Sequence, residues 1–413
     1  MVRSDLESVN KIHYVNLKDA SEWASKYLNR HVTVSNISYL LQYGRIMKYA
    51  NNGETKIDLL ELKKYYDVYD KEKQWKERLG EDLNWRLSFV EYKESERTKH
   101  VHRLHPYKGK FIPQLVEYFL DTHTDEFKQE SFFKKGDIVL DPFCGSGTTL
   151  VQANELGIHA IGIDISSFNS LISNVKVEKH DISKIKEHTH KITRQLDEFQ
   201  KTKINILFEE HLLSELSKFN SKYFPSPDYK IKVRKKEIDE IEYSRDKERI
   251  FLNIYQALVN KYKIQIKQDR NNTFLEKWFL SPVMEEIFFV FNEIKKVENK
   301  NIKKILAIIL SRTVRSCRAT THADLATLKE PITTTYYCKK HGKICKPLFS
   351  IREWWQRYTI DTLTRLKNFD TIRTSTFQIC LTGDSKSVDI YEEIKKKEDR
   401  KSTRLNSSHE WIS

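Results

Sequence analysis

The segment 137–164 restricts the fold of this chain more than any other part of the sequence. It begins with a short apolar run, 137–141, which lies between acidic residues, is too short for a helix and is typical of a buried parallel strand. A helical segment follows at 148–156 and is closed by Gly157, and a second apolar run at 160–163 ends on Asp164. This order predicts a βαβ unit with a right-handed crossover, and therefore an α/β fold.

Two glycines and a carboxylate stand where such a unit binds ligands. In parallel α/β sheets ligands lie at the carboxyl ends of the strands, where loop N–H groups and helix N-termini are open. Gly145 and Gly147 remove side chains that would keep a ligand off the backbone, and Asp164 can accept both hydroxyls of a ribose. The chain has neither the Gly-Lys-Ser/Thr of a triphosphate loop nor the third glycine of a dinucleotide loop. We therefore expect a nucleoside ligand without phosphates, and the common choice is S-adenosylmethionine.

The composition indicates the cellular compartment and the class of binding partner to expect. The 413 residues carry 72 Lys and Arg against 58 Asp and Glu, a formal charge of +14. Such a surplus favours a polyanion, and nucleic acid is the partner we expect. The longest obvious apolar run, 305–310, is far below the roughly 18 residues of a membrane span, and five cysteines make no disulfide framework. We therefore expect a cytoplasmic, globular protein of two or three domains.

Residues 1–68 are predicted to form a helical module similar to a winged helix-turn-helix. Apolar residues at helical spacing around Trp23 precede a short turn, a second helix that Thr33 or Ser35 can cap, a turn signal at 51–53 and a helical pattern at 57–66. In this interpretation DNA is contacted by polar and cationic side chains of the second helix and of the segment after it: Ser35, Asn36, Ser38, Tyr39, Arg45 and Lys48. A helical packing or dimerisation domain explains the same pattern, and both interpretations stay open.

The rest of the chain divides by pattern. We expect a helical connector at 69–103, the core with its loop and first two strands at 104–176, and a mainly helical, basic insert at 177–376 that is a candidate for target recognition. A third core strand and the start of the next helix are expected at 377–398. One segment of the insert is dense in phosphate-binding types, and its predicted DNA contacts are Arg315, Arg318, Thr321 and His322, with a solvated loop as the alternative.

Three motifs resemble those of DNA amino-methyltransferases, which modify the exocyclic amine of adenine or cytosine. Residues 141–149 (Asp-Pro-Phe-Cys-Gly-Ser-Gly-Thr-Thr) resemble the cofactor loop of that family, and residues 160–164 (Ala-Ile-Gly-Ile-Asp) are similar to its second motif. Residues 105–111 (His-Pro-Tyr-Lys-Gly-Lys-Phe) resemble the segment that packs on the methionine part of the cofactor. The resemblance covers 104–176 and 377–388.

The resemblance implies a Rossmann-like class I methyltransferase core, with an incomplete sheet in this chain, that binds S-adenosylmethionine and flips a base out of double-stranded DNA. It implies that Asp141 and the glycine loop hold the amino-acid end of the cofactor, Asp164 the ribose, and Asp384 or Ser385 the adenine edge. The full set of implied cofactor contacts is Lys110, Phe111, Asp141, Pro142, Phe143, Gly145, Ser146, Gly147, Thr148, Thr149, Asp164, Ile165, Asp384 and Ser385. It also suggests a restriction-modification system with a restriction endonuclease as partner.

The catalytic motif of that family, Asp/Asn/Ser-Pro-Pro followed by an aromatic residue, is not in the sequence, because no two of the eight prolines are adjacent. Residues 226–229 (Ser-Pro-Asp-Tyr) are the nearest imitation, and we assign them no catalytic role. Residues 399–413 resemble the translation of a DNA-sequencing adapter. We interpret them as a non-biological tail on a truncated chain whose natural reading frame continues past Glu398. We then expect an apolar sheet edge at 137–141, poor solubility and no methyl transfer by this polypeptide.

Two other functions stay open. RNA guanine-N2 methyltransferases share the Asp-Pro-Phe-Cys-Gly-Ser-Gly-Thr loop, although 105–111 and the N-terminal module favour DNA. A DNA-binding regulator with a vestigial cofactor fold is the non-enzymatic alternative. Cys338, His341 and Cys345 are weak candidates for a zinc site, and the sequence assigns no metal to them because buried or turn cysteines explain the spacing as well.

Overall fold

The computed structural model describes residues 14–28, 31–42, 45–51, 54–69, 94–125, 127–270, 272–321 and 328–399, together with 78, 80, 87, 89 and 92. The chain forms two compact units. The first comprises 1–93, 196–288 and 316–351, and the second comprises 94–195, 289–315 and 352–413. The predicted insert is thus distributed over both units. The predicted connector and tail lie mostly outside the described residues, and the functional division of the chain stays a prediction.

The N-terminal part of the first unit combines three helices with a three-stranded antiparallel sheet. Its elements are β1 Tyr14–Asn16, the helices Leu17–Tyr27 and Val34–Gln42, β2 Tyr49–Asn51, β3 Glu54–Asp58 and the helix Leu59–Tyr69. The strand order is β1-β3-β2, with β2 and β3 forming a hairpin. Side chains cap both early helices: Asn16 Oδ1 accepts the N–H of Asp19, and Thr33 Oγ1 accepts the N–H of Asn36 at 3.1 Å.

One apolar core holds these elements together. Its buried members come from every helix and from β3: Ala20, Ala24, Val32, Ile37, Leu40, Leu41, Ile46, Ile57, Leu62 and Tyr66. The predicted helix at 57–66 was wrong at its first two residues, because Ile57 lies in β3 opposite Val15 and the helix starts at Leu59. Pairing with a strand far away in sequence decides the conformation there, and a local pattern cannot show it.

The rest of the first unit is mainly helical and contains one small hairpin. Its elements are the helices Asn205–Tyr223, Asp228–Arg234, Glu240–Tyr262 and Phe274–Trp278, the helix Ser281–Lys295 that begins here, and the strands β6 Tyr336–Cys338 and β7 Lys343–Cys345. The hairpin was not predicted. Asn220 holds it to a helix, because its Nδ2 donates to the Ile344 carbonyl at 2.9 Å and its Oδ1 accepts the Ile344 N–H at 3.0 Å.

The second unit is an α/β layer structure around a parallel sheet. Its elements are the helix Glu94–Arg97, a 3-10 turn at His100–Arg103, the helix Pro113–Leu120, β4 Ile138–Asp141, the helix Thr148–Leu156, β5 His159–Asp164, the helices Ser167–Val177 and Ile182–Lys201, the helices Lys300–Ser316 and Arg352–Asp370, β8 Gln378–Thr382 and the helix Ile390–Asp399. The sheet order is β4-β5-β8, and both pairings are parallel. The predicted α/β core is confirmed, with each strand boundary within one residue of its predicted position.

The outer side of β4 is open in the part of the chain that the structure describes. There β4 pairs with β5 alone, and the side chains of Ile138 and Leu140 are 48% and 50% exposed. The expected incompleteness of the sheet stays a prediction. Among the described residues, no helix is both long and apolar enough to cross a membrane.

Candidate cofactor site at the carboxyl ends of the parallel strands

The loop after β4 needs glycine at two positions. Gly145 and Gly147 have φ angles of +53° and +77°, in the left-handed region that favours glycine. A Cβ on Gly147 would lie 2.8 Å from Ser173 Oγ and 3.1 Å from Ser173 Cα, and a Cβ on Gly145 would lie 3.1 Å from the Tyr107 ring. Backbone conformation and close packing therefore both disfavour larger side chains at these two positions.

Two side chains of the helix Ser167–Val177 bind carbonyl groups of the loop. Ser173 Oγ donates to the carbonyl of Gly145 at 3.1 Å, and Lys176 Nζ donates to the carbonyl of Ser146. Lys176 is fully buried, and burial together with the nearby charge of Lys110 lowers its pKa to about 7. Sequence reasoning missed both side chains. The available signal was a polar pair three residues apart among Ile172, Val175 and Val177 on an otherwise apolar helix face.

Asp164 closes the loop onto the end of β5. Its Oδ2 accepts the N–H of Gly145 at 2.8 Å, while its Oδ1 accepts the N–H of Ser166 at 2.8 Å and the Nδ2 of Asn169 at 3.0 Å. A carboxylate offers about four acceptor positions, so one remains for a ligand hydroxyl. Asp164 therefore positions the loop and keeps one acceptor position, fewer than the two that the predicted bonds to both hydroxyls of a ribose would need.

A cavity of about 500 Å³ opens between this loop and the helix Pro113–Leu120, within the size range of small-molecule sites. Most of the predicted cofactor contacts line it: Lys110, Phe111, Asp141, Pro142, Phe143, Gly145, Ser146, Thr148 and Thr149. Five predicted contacts are not among its lining residues, namely Gly147, Asp164, Ile165, Asp384 and Ser385. The last four lie at or beyond the ends of β5 and β8, so the predicted contacts divide between the cavity and the strand ends beside it.

The cavity has features that suit a charged amino-acid group. Ser146 is 2% exposed, and its Oγ has no hydrogen-bond partner among the described residues. The helix Thr148–Leu156 begins directly after the loop, and the free N–H groups of a helix N-terminus attract a carboxylate. Lys110 lines the cavity while its Nζ donates to the carbonyl of His102 at 2.7 Å. A buried hydroxyl, helix N–H groups and a cation fit the methionine end of S-adenosylmethionine.

The loop and the strand ends beside the cavity have features that suit an adenosine. Ile165, directly after β5, is 80% exposed, and Phe143 in the loop is 83% exposed, although large apolar side chains are normally covered. The N–H of Gly383 donates to the carbonyl of Asp164 at 3.0 Å, which places the turn with Asp384 and Ser385 beside that strand end. Asp384 is exposed and accepts the N–H of Lys386 at 3.0 Å. A flat base and its ribose would cover the apolar side chains and find acceptors at the rim.

A parallel α/β unit whose glycine loop is closed on the acid of the next strand is the architecture of proteins that bind a nucleoside-containing ligand at the carboxyl ends of the strands. The profile of a DNA methylase family matches residues 10–175. The type II methyltransferase M.MjaII of Methanocaldococcus jannaschii is 44% identical over 401 residues, which are 95% of this chain and 73% of that protein. The chain therefore belongs to the family of DNA amino-methyltransferases acting on adenine N6 or cytosine N4, whose methyl donor is S-adenosylmethionine.

Other relatives match shorter parts. The type II methyltransferase M.MvaI of Kocuria varians is 30% identical over 116 residues, 28% of this chain and 24% of that protein. The tRNA (guanine(10)-N2)-dimethyltransferase of M. jannaschii is 37% identical over 71 residues, 14% of this chain and 20% of that protein. No solved structure matches the chain. The resemblance to RNA enzymes thus extends over a far smaller part of the sequence than the resemblance to M.MjaII.

The predicted DNA contacts fall in three places. Ser35, Asn36, Ser38 and Tyr39 are exposed on the helix Val34–Gln42, and Arg45 and Lys48 are exposed in the segment after it. Asn36 already has a local role, because its Oδ1 accepts from both N and Oγ1 of Thr33 at the helix start. Arg315 is exposed and belongs to the second unit, whereas the half-buried Arg318 and Thr321 belong to the first; His322 lies outside the described residues.

The Ser-Pro-Asp-Tyr segment is part of the packing of the first unit. Tyr229 is 2% exposed, and its ring contacts the rings of Phe224, Tyr243 and Tyr337 at 5.0–6.3 Å. A ring enclosed in this way has no free face on which a base could stack. That this segment has no catalytic role stays a prediction.

A buried histidine beside the site makes the second unit sensitive to acid. His102 is fully buried, its Nε2 lies 2.8 Å from Gln152 Oε1, and burial lowers its pKa to about 3. The pKa of His102 in the folded state is below the ordinary 6.5. The contribution of neutral His102 to the free energy of unfolding is therefore fully present above pH 6.5 and is lost as the pH drops towards 3. Burial also lowers the pKa of His105 to about 4, with the same sign.

We expect the titration of His102 alone to lower the free energy of unfolding by about 2 kcal/mol between neutral pH and pH 5. Urea unfolding of the wild type at both pH values should show this loss, and His102→Gln should flatten the pH dependence because glutamine does not titrate. His190→Gln, at an exposed position on the helix Ile182–Lys201, is the control and should keep the wild-type dependence. Equal pH dependence in the wild type and His102→Gln would contradict this account.

Proposed function

We propose that this chain is the cofactor-binding and DNA-binding part of a site-specific DNA methyltransferase acting on an exocyclic amine of adenine or cytosine. The observation that carries the proposal is the loop around Ser146, which Asp164, Ser173 and Lys176 hold while the Ser146 hydroxyl stays buried without a partner among the described residues. A buried polar group costs free energy unless it is hydrogen-bonded, and the charged end of S-adenosylmethionine supplies a partner.

The positions of individual residues support the following roles. Asp141 and residues 145–149 hold the amino-acid end, and Lys110 and Phe111 also line the cavity. Asp164 accepts a ribose hydroxyl, Ile165 and Phe143 cover the apolar faces, and Asp384 and Ser385 contact the adenine edge. When bound, the cofactor supplies a methyl group on a cationic sulfur, and these residues orient that group towards the target amine.

The direct test is a calorimetric titration of the full chain with S-adenosylmethionine. We expect saturable binding of one molecule per chain, and competition by S-adenosylhomocysteine because the product keeps both recognised ends. Binding is the right readout because it does not require the Pro-Pro motif that the sequence lacks. Absence of binding by a folded chain would overturn the proposal.

We also propose that the N-terminal module binds DNA as a winged helix. The strand order β1-β3-β2, with two helices between β1 and the β2-β3 hairpin, supports this interpretation over a purely helical packing domain. The helix Val34–Gln42 buries Ile37, Leu40 and Leu41 and leaves its polar face to solvent. That face is the candidate for the major groove, and Arg45 and Lys48 are candidates for phosphate contacts.

Replacing a phosphate contact should change the salt dependence of binding. Arg45→Ala and Lys48→Ala are each expected to weaken binding to all duplex sequences alike and to reduce the slope of log K against log salt by about 1. Fluorescence anisotropy with duplex DNA at several salt concentrations measures this slope. Lys191→Ala removes the same charge from an exposed position of the second unit and is the control. An unchanged slope in both test variants would refute the assignment.

The biological setting is a further part of the proposal. Two of the relatives reported above are type II methyltransferases, so we propose a restriction-modification system in which a restriction endonuclease recognises the same site. DNA contacts at Arg315, Arg318 and Thr321, and a cytoplasmic location, belong to the same proposal. RNA methylation has weaker support, since the RNA-modifying relative matches 71 residues.

A further inference from the structure

The hairpin β6-β7 brings three metal-binding side chains to one point. The ligand atoms of Cys338, His341 and Cys345 all lie within 4.8 Å of one another, and His341 Nδ1 is 3.4 Å from Cys345 Sγ. Zinc bonds of about 2.3 Å to sulfur and 2.0 Å to nitrogen give tetrahedral edges of roughly 3.5 to 3.8 Å. The three atoms therefore approach the corners of a zinc tetrahedron without a change of the backbone.

The turn of the hairpin is shaped for this convergence. Gly342 has a φ angle of +63°, and its N–H donates to the carbonyl of Cys338 at 2.7 Å, which curls the chain directly after His341. In the strand register Cys338 lies opposite Lys343, and Cys345 lies opposite Tyr336. Cys338 and Cys345 are buried, at 3% and 8% exposure, and His341 is half-buried.

The hairpin is too small to be stable by its strands alone. Each strand has three residues, and an isolated pair of strands is marginal even at greater length. Its connections to the unit include the two bonds with Asn220, a bond from Tyr337 OH to Glu240 Oε1 at 2.7 Å and the ring contacts of Tyr337 with Phe224 and Tyr229. A metal ion held by residues of both strands and of the turn would add to these connections, because its binding free energy stabilises the folded form.

The donor atoms of the trio suit zinc, and the turn that carries them is basic. Lys339, Lys340 and Lys343 are exposed on the hairpin, and Lys230 Nζ donates to the Lys339 carbonyl. Two thiolates with one neutral imidazole are the soft donor set that zinc prefers, and their charge balances that of the ion.

We propose that Cys338, His341 and Cys345 bind one zinc ion that fixes the β6-β7 hairpin in the first unit, with the fourth corner of the tetrahedron supplied from outside this trio. The site is structural: it holds the lysine-bearing turn in place and takes no part in methyl transfer. It does not depend on the proposed function.

Metal analysis of the full chain, purified without chelator or affinity metal, tests the proposal. We expect one zinc ion per chain, and its loss in Cys338→Ser and in Cys345→Ser. Cys317→Ser is the matched control, because Cys317 is a buried cysteine of the same unit whose sulfur does not lie within 4.8 Å of the three donor atoms and is therefore not assigned as the fourth ligand. A wild-type chain without zinc, even after incubation with zinc chloride, would overturn the proposal, and so would equal zinc loss in the control.

Two further measurements separate metal loss from misfolding. His341→Cys should keep the metal, because a third thiolate can occupy the same corner, whereas His341→Ala should lose it. Cobalt reconstitution of the wild type should give the intense visible bands of tetrahedral cobalt and a sulfur-to-metal charge-transfer band. These bands should be missing in the serine variants at unchanged helical circular dichroism. An oxidised Cys338–Cys345 pair in the freshly purified chain, found by thiol counting, would refute the site.

Discussion

Asp164→Asn is expected to lower the affinity for S-adenosylmethionine about 100-fold, although the two side chains have nearly the same shape. In one orientation the new amide NH₂ faces the N–H of Gly145, and in the other it faces the N–H of Ser166 and the Nδ2 of Asn169. Both orientations set donor against donor, so the side chain loses either its bond to Gly145 or its bonds to Ser166 and Asn169, and the ribose loses a charged acceptor in both cases. Calorimetric titration measures the affinity directly.

Asp137→Asn is the matched control for this substitution. Asp137 lies just before β4, at the end of the strand away from the site, and its Oδ2 accepts the N–H of Lys134 at 2.9 Å. The same loss of one carboxylate there should leave the affinity for S-adenosylmethionine unchanged. An affinity of Asp164→Asn within twofold of the wild type would show that neither the loop nor the ribose depends on this charge.

Gly147→Ala is expected to abolish most cofactor binding, with a loss of at least about tenfold, and to destabilise the second unit by about 1 to 3 kcal/mol. Two causes act together: the residue has a φ angle of +77°, and its new Cβ would meet Ser173 Oγ at 2.8 Å and Ser173 Cα at 3.1 Å. The second contact is with backbone and cannot be relieved by turning a side chain. The loop must therefore move away from the helix that supports its carbonyls.

Gly136→Ala separates the two causes. Gly136 has a φ angle of +90°, yet a Cβ there would have no atom within 4 Å. This control should show the conformational cost in urea unfolding and keep the wild-type affinity for S-adenosylmethionine. Equal affinity losses in the two variants would mean that general destabilisation, and not the contact with Ser173, explains the effect.

The parts of the fold that the sequence predicted well are those controlled by neighbours in the chain. The helix Thr148–Leu156 was predicted at its observed bounds, because Gly147 and Gly157 lie at its two ends. The strands β4, β5 and β8 were predicted within one residue, since short apolar runs next to glycine, proline or acid leave few alternatives. The hairpin β6-β7 was missed, because strands of three residues are too short to show a period of two.

The candidate site divides in the same way. Asp141, the loop glycines and Asp164 could be predicted from the sequence, because they lie at or just after strand ends and the carboxyl ends of parallel strands meet at one edge. Ser173 and Lys176 were missed, because their role depends on which helix face packs under the loop. The trio at the hairpin was visible as residue types, but only the structure shows that its three donor atoms converge.

By itself the sequence determined the α/β core, the position of the glycine loop and the acid that closes it, because backbone conformation and strand boundaries depend on residues a few positions apart. Only the tertiary structure decided that residues 196–288 and 316–351 join the N-terminal segment in one unit, and that Lys176 is buried beneath the loop. It also decided that Cys338, His341 and Cys345 converge. The physical reason is that such arrangements depend on packing between segments distant in sequence, and no local pattern records that packing.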